Sequence, residues 1–546
     1  MADQPNVVLP KELRLAAPAT MPQSRSYMFK QQAALSSYSP KDTIQINLPR
    51  LQRSYLTKDS YLEFEVTVSH TTPASNFANT SISFDTPGAL GLIDRIEVYD
   101  YLGSTQLEST AGFGQLVALL QDTCVSADEY ATHWEATAGG QTQAVVADFE
   151  RNYQIPGDAA STAAEHKMYR MTQPSIGEIL DTGIWKNDAS GAVATTSVTR
   201  VIKRRYHLPL FSFLGLLSPK YAPLHNGYTI MITLQSAESA IINAGLKYGY
   251  DGTSKKITSA TLVKSTGLTY KVDQARMCCQ ILELGPIAES MLLSTVGPNP
   301  MIVPTKAYRN YVSSIPDNSS TFRLDLNINV ASLTNVLWIM RPGYVIGKEE
   351  YPTLSRRQRN YLESWYFQYG SSILPQTQGI TAYKPASNVA GHADMGSECL
   401  IELLKARHMY NQPTHTHLFN RLNYSYDNAV SSLNEVKNKH TVDFLPTVWN
   451  AIQYTTPETF FENGKFACGL DLELVSGRTN EIICGMNTNG MNTSIFATFN
   501  STAAAATVST TGTGTGVWVE KSQVDAWCEY DAFINISPGI ASTVSF

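Results

Sequence analysis

The chain is 546 residues long, more than a single hydrophobic core of ~250–300 residues sustains, so two domains are expected. Its net charge of −6 removes the general basic field that draws proteins to nucleic acid, and any contact with phosphate has to be local. Charged residues make up only 16% of the chain and Tyr numbers 28, against a usual charged share of about 25%. A surface so poor in charge suits burial against neighbours, although the β propensity of Tyr and Thr accounts for the aromatic excess equally well.

Residues 1–25 carry Pro5, Pro10, Pro18 and Pro22 without a sustained period and are predicted to form an extended arm. Thr43-Ile44-Gln45-Ile46-Asn47-Leu48 alternates polar and apolar residues, as does Tyr61–Val68, and both predict half-buried strands. A loop rich in Pro, Asn and Ser leads to a strand at Leu92–Tyr99, and Gly114–Gln121 has the helical spacing of the one helix expected in the first half. Ala136–Thr199, rich in Ala, Gly, Thr and Gln, is predicted to form long outward loops. Pattern returns at Val201–Leu217 and, after the Pro-marked turn Ser218–Leu224, at Tyr228–Leu234, which is expected to close the first domain. Leu262–Val272 and Cys278–Leu284 read as strands that cross to the second.

The second half repeats this grammar. Phe322–Val330 matches Tyr61–Val68, and Asn335–Met340 matches Leu92–Tyr99. Helical potential follows near Glu398–Arg407, then strands at Gly464–Leu474, Glu481–Cys484 and Val524–Ile536. The expected division is an arm (1–25), a first β unit (26–260) and a second (261–546). All-β content with closely spaced Pro and Gly turns indicates sandwiches or jelly rolls.

The search for chemistry yields little. No P-loop, HExxH, GxSxG or kinase-type set occurs, and Gly112-x-Gly114 lacks both the third glycine and the βαβ setting of a dinucleotide site. His415 and His417 would share a strand face and hold a metal with His408 or His392, but a polar edge or interface outweighs that reading. Asp471 and Glu473 are spaced like a glycosidase acid pair, a spacing equally common on solvated strand faces. Lys203-Arg204-Arg205 and Arg356-Arg357-Gln358-Arg359 are the strongest basic clusters, for which a solvated edge or a subunit salt bridge outweighs phosphate binding. Seven cysteines, without paired spacing, read as reduced thiols. No catalytic, cofactor-binding or metal-binding residue is therefore assigned. The first residues, MADQPNVVLPKELRLAAP, hold no continuous apolar stretch of signal-peptide type, and the longest apolar run, Leu208–Leu217, falls short of the ~20 residues that span a bilayer. Synthesis and retention in the cytosol or nucleus is the expectation.

Several stretches, in order, resemble the major capsid proteins of the double jelly-roll lineage, above all those of polinton-like viruses and virophages. They are Tyr55–Phe64, Leu92–Val98 and the helix near Leu116–Asp122, then His207-Leu208-Pro209-Leu210 through Phe213–Leu216, Ala222-Pro223-Leu224 and Tyr228–Leu234. In the second half they are Ser332–Pro342, Gly464–Glu473, Ile483–Thr488 and the terminal Val524–Ile536. The resemblance implies two tandem eight-stranded jelly rolls with short helices and long surface loops, and a structural role without catalysis or cofactor. It further implies a homotrimer that forms a pseudo-hexameric capsomer, tiling of an icosahedral shell around a DNA genome, and contacts with penton and minor capsid proteins. The loops 136–199 and 485–516 would lie preferentially at the outer end, and the host receptor stays unknown. The N-terminal arm would lie inside, towards genome or membrane.

Two other classes compete. A trimeric β-rich fibre or receptor-binding surface protein would be soluble without further assembly. A β-sandwich carbohydrate hydrolase would need an acid pair in a cleft and, usually, an export signal, and the missing signal and motifs argue against it.

Overall fold

The computed structural model describes residues 23–72, 78–101, 103, 105–124, 134–140, 178–184, 197–209, 221–251, 256–262, 264–296, 300–317, 319–343, 345–349, 351–360, 362–375, 379–382, 397–410, 465–473, 485–499, 521–537 and 542–545. The first half supplies eight principal strands: β1 (Arg25–Gln32), β2 (Thr43–Leu48), β3 (Tyr61–Thr71), β4 (Ile93–Asp100), β5 (Gln106–Ala111), β6 (Thr199–Leu208), β7 (Tyr228–Leu234) and β8 (Thr266–Glu283). One sheet has the order β6-β3-β8-β1, extended by the short strands Ser37–Tyr38, Ser54–Thr57 and Tyr221–Pro223; the other has the order β2-β7-β4-β5. All these pairs are antiparallel. In β3 every second residue from Leu62 to His70 is buried, so the strand turns one face to the core, as the alternation predicts.

The second half rebuilds the same order. It contains β9 (Met301–Ile315), β10 (Thr321–Asp325), β11 (Leu333–Pro342), β12 (Leu362–Tyr369), β13 (Ser372–Leu374), β14 (Cys468–Asp471), β15 (Thr493–Phe499) and β16 (Ser522–Ile536). The sheets run β14-β11-β16-β9 and β10-β15-β12-β13. Each principal strand thus corresponds to the one eight places earlier. Helix α1 (Phe113–Cys124), between β5 and β6, has its counterpart in α3 (Ser397–Ala406), between β13 and β14. A third helix, α2 (Pro286–Val296), joins the two rolls. One continuous apolar core runs through both halves.

This correspondence moves the expected repeat by one strand. Tyr61–Val68 is equivalent by topology to Leu333–Pro342, and Phe322–Val330 to Thr43–Leu48. Nor does Tyr228–Leu234 close the first roll. Thr266–Glu283 pairs with β1 and β3 along its length, and pairing confined to the second half starts at Met301, so the ladders change over between Glu283 and Met301 and not at 260/261. This strand reads as two in the sequence because Gln274 takes φ 52° at an irregularity between Asp273 and Arg276. Ala78–Phe84, Ile179–Ile184 and Thr493–Phe499 are strands within stretches expected to be loops. Glu481–Cys484 and most of Ala136–Thr199 lie outside the described residues.

The register fixes which connections meet. Thr71 faces both Thr199 and Thr266, so the β3–β4, β5–β6 and β7–β8 connections share one end of the first roll. There they build a separate sheet, in the order Lys256–Leu262, Ile241–Asp251, Ala78–Phe84, Ile179–Ile184. Arg25 faces Glu283, which places the start of β1 and the entry to α2 at the opposite end.

Trp338 of β11 is fully buried and meets Trp365 of β12 edge to face, ring centroids 5.5 Å apart. Trp338→Ala is expected to lower stability by about 3–5 kcal/mol. Chemical denaturation would check this, and an unchanged midpoint would contradict its place in the core.

Candidate functional site

Among the described residues, a dense buried polar arrangement lies at the joint between the two rolls. The connection from β11 to β12 carries Thr353-Leu354-Ser355-Arg356-Arg357-Gln358-Arg359-Asn360, every residue of which is buried. Leu354, Ser355 and Arg357 reach the first roll, while Gln358 and Asn360 bond back to Ser522 of their own (3.0 Å each). Glycines open the socket it enters. A Cβ on Gly91 would come within 2.8 Å of the Leu354 Cδ1, so that side chain would have to shift, and one on Gly114 would come within 3.3 Å and need it to give by a few tenths of an ångström. Gly114, read in the sequence as half of an incomplete nucleotide motif, serves close packing.

Asp85, fully buried between β3 and β4, caps this segment. Its carboxylate accepts hydrogen bonds from the Leu354 amide (2.8 Å), the Ser355 amide (3.0 Å), the Ser355 hydroxyl and the Thr86 amide (2.7 Å). Burial pushes the Asp85 carboxyl above the ordinary aspartate range, against those four donors. Asp122, at the end of α1, reaches across with one oxygen on the Arg357 guanidinium and the other on the Lys465 ammonium, and all three groups are almost completely buried. Burial pulls the Lys465 ammonium below its usual value, although the Asp122 charge acts against that. Further ties reinforce the contact: the Trp527 indole donates to the Ala111 carbonyl (3.2 Å), Lys264 pairs with Glu349 (3.0 Å), and the Asn226 amide donates to the Ser537 carbonyl (3.0 Å). Arg341 holds the root of the segment through Asp525 (2.8 Å) and the Thr353 carbonyl (3.2 Å). The Arg356–Arg359 cluster is therefore an internal strut and is not presented to phosphate.

The other candidates from the sequence are placed as follows. Lys203, Arg204 and Arg205 lie on β6 and are largely exposed, each facing a carboxylate: Glu65 (3.7 Å), Glu178 (3.5 Å) and Glu63 (3.5 Å). Asp471 and Glu473 do not face each other across a cleft. Asp471 accepts from the Glu473 amide (3.0 Å), while the Glu473 carboxylate is 3% exposed and lies 3.2 Å from Lys306 and 3.5 Å from His408. Burial would raise the Glu473 carboxyl, but His408 and Lys306 hold it below the usual range. Next to it Glu529 accepts from the Arg407 guanidinium (2.5 Å) and the Tyr308 hydroxyl (3.0 Å), with Lys306 at 3.4 Å. Burial opposes ionisation of Glu529, yet these cations and donors bring its pKa down to about 2. A carboxylate held ionised among cations is suited to bearing load in the fold and unsuited to giving up a proton as a glycosidase acid must.

His408 is thus engaged with Glu473, while His392, His415 and His417 lie outside the described residues, as does the arm up to residue 22. Among the described residues no group of three His, Cys, Asp or Glu side chains is placed to hold a metal, and no helix is long and apolar enough to cross a membrane. The six described cysteines are free thiols. Sequence reasoning missed Asp85 and Asp122. The available signal was an acid placed in the apolar run of α1, where amphipathic spacing predicts burial.

No protein-family model matches the chain, and no curated protein sequence does. Solved structures do. The chain aligns over its whole length with 92% of a chain from the Sputnik virophage structure, at 12% identity and a TM-score of 0.51. The mavirus major capsid protein aligns with 97% of this chain and 92% of its own (12% identity, TM-score 0.47), and a chain of the PBCV-1 virus capsid with 97% and 99% (9%, 0.47). With the duplicated strand order, the Sputnik likeness establishes the fold as a double jelly roll.

Proposed function

We propose that this chain is a viral major capsid protein of the polinton-like virus and virophage kind, a structural protein without catalytic activity. In this reading three copies form a capsomer of six rolls, and capsomers tile an icosahedral shell around a DNA genome. The observation that carries the proposal is the pair of equivalent rolls locked at one relative orientation by the Asp85 and Asp122 joint. A closed ring of three requires a fixed angle between rolls, since a drifting angle yields open or irregular assemblies.

Two features support it. Exposed apolar side chains occur on strands at sheet margins, Met28 on β1, Val201 on β6, and Ile302 and Val312 on β9, where lateral neighbours would cover them. The sheet built by the first roll's connections and the start of β1 sit at opposite ends of the roll, as an outer loop surface and an inward arm require. In this reading penton and minor capsid proteins are further partners, and the protein resides in the virion. Light scattering combined with electron microscopy of the recombinant chain tests the proposal. A species of three times 60.0 kDa with hexagonal outline, or closed shells, is expected. A monomer at all concentrations would overturn it.

A further inference from the structure

Helix α2 is inside out. Its one charged residue, Glu289, is buried, with its carboxylate on the His225 ring nitrogen (2.8 Å) and the Tyr55 hydroxyl (3.2 Å). Its apolar residues face outward: Ile287 is 55% exposed, Met291 64%, and Leu292 and Leu293 36% each. Ile287 and Met291, four apart, form one stripe, and Ser290 and Ser294 beside them spend their hydroxyls on the helix's own carbonyls. A single exposed leucine needs no explanation, but a helix that buries its acid and presents its apolar stripe is built to be covered.

The described chain begins at the edge of this stripe. The Gly285 amide, immediately before α2, donates to the Ser24 hydroxyl (3.0 Å), and the Arg25 guanidinium is bound to Glu283 (2.7 Å). Residues 1–22 therefore depart from a point fixed at the N-terminal end of α2. They contain the apolar set Val7, Val8, Leu9, Leu13 and Leu15, with two acids and two bases that cancel: Asp3, Glu12, Lys11 and Arg14. An eleven-residue helix is ~16 Å long, whereas the arm reaches ~3.3 Å per residue. Fewer than half of its residues suffice to cover the stripe.

We propose that the N-terminal arm of the same chain packs its Val7–Leu15 segment onto the outer face of α2. This docking ties the arm to the connector between the rolls, and it does not depend on the capsid reading. Arg14 lies within the docked segment and is a trypsin site, so limited proteolysis of the full-length chain reports the contact. Ile287→Glu removes apolar surface while placing an acid in the first helical turn, where the helix dipole tolerates it, and Leu13→Asp makes the matching change on the arm. Cleavage after Arg14, followed by mass spectrometry, is expected to be roughly tenfold faster in either variant than in the wild type, since local release sets the rate. The melting temperature of the rolls should stay unchanged. Equal cleavage rates in wild type and Ile287→Glu would overturn the proposal. Wild-type protection that disappears on dilution would also overturn it, because a second copy, and not the chain's own arm, would then cover α2.

Discussion

Asp122→Ala is expected to destabilise the protein by about 3–5 kcal/mol, because it leaves the buried Arg357 and Lys465 cations without the carboxylate that lies between them. Lys465 can escape by shedding its proton, since burial already lowers its pKa, but Arg357 keeps its charge. The loss falls on the joint and not within either roll. Denaturant unfolding, expected to be a single coupled transition in the wild type, should therefore separate into two. Adding Lys465→Met to Asp122→Ala should recover part of the loss, because it removes one of the stranded charges, and the two substitutions should be clearly non-additive. Asp325→Asn supplies the contrast. Its pair with Arg323 is more than half exposed on both sides, and its loss is expected to change stability by no more than ~0.5 kcal/mol. A single unshifted transition for Asp122→Ala would mean that the joint does not hold the rolls together.

The same joint shows where the sequence stops being legible. Strands β2, β3, β4 and β7 can be read directly because one face meets the core and the other does not, and alternation is the trace of that difference. β11 is buried on both faces and carries no alternation, so only its apolar run marks it. β9 hides behind Pro304, Lys306 and Arg309, residues that speak against a strand until Glu473 and Glu529 are seen to draw Lys306 inward. Pattern alone places the repeat one strand out of step because β3 and β10 share an alternating pattern, whereas equivalence is set by hydrogen-bonded neighbours that only the fold supplies. A stretch such as Ser355–Asn360 reads as solvated. Nothing local announces that Asp85 and Asp122, more than two hundred residues earlier, wait to receive it.

The second large effect is a dependence on acid carried by Glu529. Its carboxyl titrates at about 2 in the folded chain, against a value of 4.5 for the free group. A depressed pKa contributes stability that is fully present above 4.5 and is lost as the pH falls towards 2, here about 3 kcal/mol at pH 7, of which about 2 is gone by pH 3. Asp85, Asp94, Asp471 and Asp531 act in the opposite sense: burial raises their pKa values, so the folded chain takes up their protons more readily than the unfolded chain does. The wild-type acid curve mixes both signs, and the comparison with Glu529→Gln isolates one. At pH 7 the variant is expected to be the less stable, because Arg407 and Lys306 lose their shared carboxylate. Between pH 7 and pH 3 the gap should narrow by about 2 kcal/mol as the wild type gives up the same ion pairs by protonation. Urea midpoints measured at intervals across that range would show the convergence, and parallel curves would mean that Glu529 is not held ionised by its neighbours.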